Sequence, residues 1–255
     1  MSLLESSQLL PSRRFKTLRT IMALILREMS TTYGKSPGGY IWAVVEPAAG
    51  VALLSVLFSL AFRAPPIGSS FSLFYATGLL PFMLYVDISR KIAGSLAFSK
   101  QLLFYPGVTF VDAVIARFVL NYITQILVVL VVAWGIIWME DLQLILNVRA
   151  IILAVLMAGA LGLGVGVMNC FLFRRFPIWV RVWAIMTRPL FLLSCIFVMY
   201  DHVPEPFSNY LWFNPLVQIV GQMRSGFTPP IAPITSSRSM SSAWPLRFLS
   251  SVWRC

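Results

Sequence analysis

Five stretches of this sequence are long and apolar enough to be helices in a bilayer, and that pattern restricts the fold more than any motif in the chain. A spanning helix needs about 20 apolar residues, because each advances ~1.5 Å through a hydrocarbon core roughly 30 Å thick. Residues 39–62 (GYIWAVVEPAAGVALLSVLFSLAF) meet this, as do 113–138, 150–173 and 178–200. Residues 71–87 are shorter and contain Pro81, yet still read as a span. None shows the alternation that a transmembrane barrel strand requires. The expected fold class is an all-α polytopic membrane protein with five transmembrane helices.

Composition supports the same solvent. Hydrophobic residues make up 58% of the chain, charged residues 11%, and the mean hydropathy is +0.82. A soluble domain carries roughly 25% charged residues to face water. The net charge of +11 invites a nucleic-acid reading, but the distribution of the cations excludes it. Arg13, Arg14, Lys16, Arg19, Arg27 and Lys35 precede the first span; Arg90, Lys91, Lys100, Arg174 and Arg175 fall in alternate loops; the remaining two loops hold only Arg63 and Arg149. Eleven basic residues against two is the signature of cytoplasmic retention. It places the N-terminus and residues 1–38 in the cytoplasm, and the segment after Tyr200 outside. The three cysteines form no C-x-x-C pair, and no cleavable signal is evident, so the first span is expected to act as the insertion signal.

Two segments outside the spans look organised. In residues 13–30, Phe15, Leu18, Met22, Ile25 and Met29 recur at helical spacing with most cations off that stripe, which predicts an amphipathic helix lying in the inner interface. Residues 88–105 also read as helical and cationic. From Thr228 the character changes: residues 228–255 hold seven serines, four prolines, three arginines and no acid, and read as disordered or weakly interfacial.

An enzyme site is hard to assemble. The single histidine, His202, rules out multi-histidine metal sites and leaves no metal centre to propose. Gly34-Lys35-Ser36 resembles the end of a phosphate-binding loop, but the first glycine of that motif would fall on Met29. The polar residues within spans say more, because an ionisable group at a helix centre is paired or faces a wet cavity. Trp42, Glu46 and Gly50 follow at i, i+4, i+8 on the first span; Arg117, Asn121 and Gln125 repeat that spacing on the third; Arg181 and Arg188 share a face of the fifth near Trp183. Two readings fit: a hydrophilic pathway lining, or interhelical bonding such as Glu46 with Arg117 or Arg188. On the fourth span Ala158, Gly162 and Gly166 form a small-residue ladder, a device for close helix packing. Tryptophans 42, 134, 138, 179 and 183 sit toward span ends as interface anchors do.

In order along the chain, REMSTTYGKSPGGYIWAVVEP, YATGLLPFMLY, LLFYPGVTFVDAVIARFVLNY, FRRFPIWVRVWAIMTRPLFLLSCIFVMYDHVPEP and WFNPLVQIVGQMRSGF resemble the polysaccharide-exporting permeases of the type-2 ABC exporter family, and among them the capsular polysaccharide export permeases of Gram-negative bacteria. The resemblance runs from about residue 13 to Phe227. It implies a homodimer in the bacterial inner membrane that docks a separate cytoplasmic ATPase, which binds ATP and magnesium while this chain holds no cofactor. It implies export of a lipid-linked glycan, in company with periplasmic and outer-membrane polysaccharide export proteins. Tyr40, Trp42, Glu46, Arg117, Asn121, Gln125 and Trp183 would then border the substrate pathway. Arg90, Lys91 and Lys100 would lie in the loop that couples to the ATPase, and residues 201–227 would hold short external gate helices. The resemblance also implies a sixth span, and residues 228–255 depart from it. Readings left open are a related permease for O-antigen, teichoic acid or lipid, an ion-coupled carrier, and a membrane glycan-assembly enzyme using acids such as Asp87 and Asp112.

Overall fold

The computed structural model describes residues 16–32, 39–61, 70–98, 109–200, 203–205 and 207–227. All regular structure among them is helical: α1 (Lys16–Thr32), α2 (Gly39–Ala61), α3 (Phe71–Ala93), α4 (Ser95–Phe98), α5 (Phe110–Met139), α6 (Val148–Arg175), α7 (Trp179–Leu192), α8 (Phe207–Trp212) and α9 (Pro215–Phe227). Short polar side chains set where the long helices begin, by taking up backbone N–H groups that have no partner in the first turn. Ser70 Oγ accepts from Leu73 N–H at the start of α3, and Asn147 Oδ1 from Ala150 N–H at the start of α6. At α5, Thr109 and Asp112 form a reciprocal capping box.

α3 is the axis of the bundle. It packs against α2, α5, α6 and α9, and Leu84, Ile88 and Ile92 on it are fully buried. Its neighbour α6 comes closest through the expected small-residue ladder. A Cβ at Gly162 would meet Ile88 Cβ at 3.1 Å and the Tyr85 carbonyl at 3.2 Å; one at Gly166 would meet Ile92 Cβ at 2.8 Å and the Ser89 carbonyl at 3.1 Å. Ala158, on the same ladder, is completely buried. Only residues without side-chain bulk let two backbones approach so far, and in lipid that contact must supply attraction that water would otherwise supply.

Among the described residues four helices, α2, α3, α5 and α6, are long and apolar enough to cross a bilayer. The fifth expected span, 178–200, takes a different form. Its helix α7 has 14 residues, about 21 Å of rise, and stops at Leu192. Beyond it Ser194 Oγ bonds back to the Leu190 carbonyl at 2.6 Å, and Cys195 adopts φ 54°, a left-handed conformation that ends a helix. Ser194, Cys195 and Ile196 are buried. Leu193 and Val198 on either side of them are exposed, so residues 193–200 are buried in protein only at 194–196.

Other boundaries shift in the same sense. α3 runs six residues beyond the expected end at Asp87, to Ala93, and so takes in Arg90 and Lys91, two of the three cations of the segment expected at 88–105. α4 is a further short turn of that segment, while Lys100 lies outside the described residues. The expected gate segment contains two short helices, α8 and α9. A helix does form in the segment expected to lie in the interface, as α1, and it meets α5 through Glu28. Met22 and Met29 are exposed, Ile25 is half-buried, and Glu28 is buried. Phe15, His202 and residues 228–255 lie outside the described residues, as do the side chains of Leu18 and Tyr40.

Candidate functional site

The i, i+4, i+8 spacing on α5 brings Arg117, Asn121 and Gln125 onto one face, and that face is turned toward α1 and α3. Arg117 Nε donates to Glu28 Oε1 at 2.8 Å, an ion pair in which both side chains are largely shielded from solvent. Asn121 extends the contact: its Nδ2 donates to the Arg117 carbonyl at 2.7 Å and lies 3.5 Å from Glu28 Oε1, while its Oδ1 accepts from Lys91 Nζ at 2.7 Å. Gln125 Nε2 donates to Asp87 Oδ2 at 2.7 Å, and Asp87 also pairs with Arg90 at 3.3 Å. The Arg117 guanidinium covers the Phe98 ring of α4 at 4.3 Å, with Arg27 at 5.7 Å from the same ring.

Two carboxylates, three cations and two amides thus form a polar seam between α5 and its neighbours α1 and α3, in two adjoining groups: Glu28, Arg117, Asn121 and Lys91, and Gln125, Asp87 and Arg90. A charge taken out of water is tolerated when its partner is close and its remaining bonds are filled; here Glu28 Oε1 faces Arg117 and Asn121, and the two oxygens of Asp87 face Gln125 and Arg90. Such a seam fixes α1 to the bundle with defined geometry and a defined cost for separating it.

The pairing differs from the one expected. The carboxylate on Arg117 is Glu28, not Glu46. Glu28 is the one acid in the described part of α1, and a lone carboxylate in a basic helix was the available signal for it. Asp87 and Phe98 are further members that periodicity alone does not single out. Of the other residues expected at the pathway, Trp42 and Glu46 stand exposed on α2 and Trp183 is half-buried on α7, so the structure separates them from the Arg117 stripe. Of the residues assigned to ATPase coupling, the Arg90 side chain is 74% exposed, whereas Lys91 points into the seam.

A second buried cation lies toward the opposite end of α3. Arg224 of α9 donates through Nη2 to the Ile196 carbonyl at 2.8 Å and through Nη1 to Val198 O at 3.5 Å, and it covers the Phe74 ring at 4.2 Å. Burial draws its pKa down to about 10, opposed by Cys195 and Tyr75, so it remains charged near neutrality. One side chain therefore ties α9 to the segment that follows α7. Gly226 completes the junction, with its carbonyl accepting from Asn147 N–H at 2.9 Å and its α-carbon against Ile151.

Comparison with known proteins accounts for this architecture. The chain is 31% identical over 218 residues to the polysialic acid transport protein KpsM of Escherichia coli, covering 82% of this chain and 81% of the relative. It is 25% identical over 210 residues to the capsule polysaccharide export inner-membrane protein CtrC of Neisseria meningitidis, and 25% over 215 residues to BexB of Haemophilus influenzae, a protein of the same description. Each covers 82% of this chain and 79% of the relative. The family described as ABC-2 type transporter matches residues 19–228, from within α1 to just past α9; the chain belongs to that family.

Proposed function

We propose that this chain is the membrane permease subunit of an ATP-driven exporter that carries lipid-linked capsular polysaccharide across the bacterial inner membrane. The observation that carries the reading is the continuous match, across 82% of the chain, to proteins named for capsule polysaccharide export and polysialic acid transport. The charge bias supports a cytoplasmic N-terminus, which puts α1, α4 and the polar seam on the cytoplasmic side and α9 on the outer side. A separate ATPase subunit would bind at the α4 side, where Arg90 is exposed and Lys100 follows in sequence. Two copies would form the pathway, bordered by Tyr40, Trp42 and Glu46 of α2 and by Trp183 of α7. Arg117, Asn121 and Gln125 would serve it from the seam, holding α1 so that movement at the ATPase reaches the spans. Periplasmic and outer-membrane export proteins would receive the glycan.

The acids that a glycan-assembly enzyme would need are already in use: Asp112 caps α5 and Asp87 holds Gln125 and Arg90. In a capsulated bacterium lacking its own permease, this chain expressed with its partner ATPase is expected to restore surface polysaccharide, and neither protein should do so alone. The purified chain is expected to hydrolyse no ATP. Robust hydrolysis without a partner, or surface polysaccharide restored without the ATPase, would overturn the reading.

A further inference from the structure

The two short helices of the outer segment are restrained very differently. α9 buries Leu216, Ile219, Val220 and Met223 and packs against α3 and α6. α8 buries none of its residues; Phe207 and Tyr210 on it stand exposed, as does Phe213 in the elbow that follows. Two bonds reach α8 from neighbouring parts of the same segment: Tyr200 Oη donates to the Ser208 carbonyl at 3.1 Å, and Gln218 Nε2 to the Trp212 carbonyl at 3.3 Å.

α9 also spans depth. Its start adjoins Asn214, whose Nδ2 donates to the Leu193 carbonyl at 3.0 Å. Leu193 lies two residues beyond Phe191, whose ring meets Phe82 midway along α3. The end of α9 lies at the outer end of α6, where the Gly226 carbonyl accepts from Asn147 N–H. Between these levels residues 193–199 run without helix, and non-helical backbone at membrane depth needs its hydrogen bonds from protein, since lipid supplies none. Arg224 is a donor there, with Nη2 2.8 Å from the Ile196 carbonyl and Nη1 3.5 Å from that of Val198.

The same guanidinium covers the Phe74 ring of α3 at 4.2 Å. Gly78 leaves room for it: a Cβ there would fall 3.4 Å from Arg224 Nη2 and 3.2 Å from Ile196 Cγ2. One side chain thus joins α9, α3 and the stretch after α7. Pulling α9 away would strand the cation and the carbonyls together; turning α8 strands neither.

We propose that Arg224 is a positioning residue for export, holding α9 fixed on the bundle through the transport cycle so that the outer end of the pathway opens by movement of α8 about the elbow at Asn214. The proposal rests on the reading of this chain as an export permease. It adds which part of the outer segment stays still and which side chain keeps it so.

The test uses the full chain with its partner ATPase in a capsulated bacterium lacking its own permease, with Cys170, Cys195 and Cys255 replaced by alanine. Ile151→Cys with Gly226→Cys locks α9 to α6. A Cβ at Gly226 would press on Ile151 Cγ1, so the smaller cysteine at 151 makes room for a disulfide, which takes Cβ atoms ~3.5–4.5 Å apart. Closing it by oxidation is expected to leave surface polysaccharide unchanged. Arg224→Met in the reduced form of that chain is expected to lower surface polysaccharide about tenfold at equal membrane content, with ATP hydrolysis retained, and oxidation to restore it to within about threefold. Arg224→Lys, which keeps a cation over Phe74, should fall between. A closed disulfide that stops export with Arg224 in place would overturn the proposal, because α9 would then have to move. So would Arg224→Met that exports as the parent does, or that stays impaired when oxidised.

The moving part has its own test. Tyr200→Cys with Trp212→Cys, where the native rings lie 6.0 Å apart, pins α8 when bridged by a short reducible bifunctional thiol reagent. Export is expected to stop and to return on reduction; export that continues through the bridge removes α8 from the role. Labelling needs no transport at all. Val220→Cys, on the buried face of α9, is expected to resist a membrane-permeant maleimide beside Arg224 and to react several-fold faster in Arg224→Met. Equal rates would overturn the hold on α9 even where the chain and its ATPase restore no polysaccharide, a failure that by itself counts only against the proposed function.

Discussion

The two sides of α3 are held by opposite chemistry. Toward α6 the contact is dry: Ala158, Gly162 and Gly166 admit the ridge of Ile88 and Ile92 and the backbone carbonyls beneath it. Toward α5 and α1 the contact is ionic, with Glu28, Asp87, Lys91, Arg117, Asn121 and Gln125 joined in one seam. A dry seam depends on shape alone and is insensitive to charge. An ionic seam is most sensitive at its buried pair, because removing one partner there leaves the other charge buried and uncompensated. The difference suits a bundle in which α3 and α6 stay together while α1 transmits movement.

The largest effect is therefore expected from half of the ion pair. Arg117→Ala strands the Glu28 carboxylate and should destabilise the protein by about 3–5 kcal/mol, read as an earlier loss of helical signal on heating in detergent. The double variant Glu28→Leu with Arg117→Leu should recover most of that loss, since two apolar side chains of similar bulk leave no stranded charge. A double variant as unstable as the single would mean that Arg117 acts through its contact with Phe98 instead, and the comparison between the seams would fail.

The dry seam is expected to break by volume. Gly166→Leu drives a side chain into Ile92 and the Ser89 carbonyl, where backbone cannot withdraw, and should cost about 1–3 kcal/mol or more. Gly135→Ala on α5, which meets nothing within 4 Å, should be neutral or stabilising by up to ~1 kcal/mol. The same heating experiment in high salt separates the seams: the Gly166 loss should be unchanged by salt, as a shape effect requires.

How far the sequence reveals this depends on the kind of signal. The first four spans follow from apolar length, because hydropathy measures transfer to lipid and these helices undergo it. The small-residue ladder on α6 is equally legible, since four-residue spacing in a helix leaves one interpretation of the face, though not the identity of its neighbour α3. Residues 194–196 mislead for a physical reason: Ser194, Cys195 and Ile196 are buried in protein, and burial in protein and burial in lipid select the same residues. The end of α7 turns on a backbone reversal at Cys195, which no periodicity records. The Arg117 stripe is visible on α5, but its carboxylate lies 89 positions away on α1, and a pair that distant in sequence has no local signature. Glu46 is nearer in sequence to Arg117 and was the more natural partner to expect.

A smaller effect is expected from Gln125→Leu. It removes one amide hydrogen bond, while Asp87 keeps its contact with Arg90, so the stability loss should be about 0.6–2 kcal/mol. Surface polysaccharide should fall further than that loss explains if the seam carries movement from α1. Export unchanged at equal membrane content would return Gln125 to packing alone.

The least effect on stability should come from Arg90→Ala, at the rim of the same seam. Its pair with Asp87 spans one helical turn with the guanidinium mostly in solvent, and such pairs contribute roughly 0–1 kcal/mol. Heating in detergent should barely distinguish the variant from the parent, while Lys91, which donates to the buried Asn121, should cost more when replaced by alanine. That contrast marks where the ionic seam ends. If Arg90 instead engages the partner ATPase, surface polysaccharide should fall several-fold at unchanged stability, and the defect should persist in Arg90→Gln but be relieved in Arg90→Lys. A defect that follows the melting temperature across all three variants would place Arg90 inside the seam and extend its boundary by one helical turn.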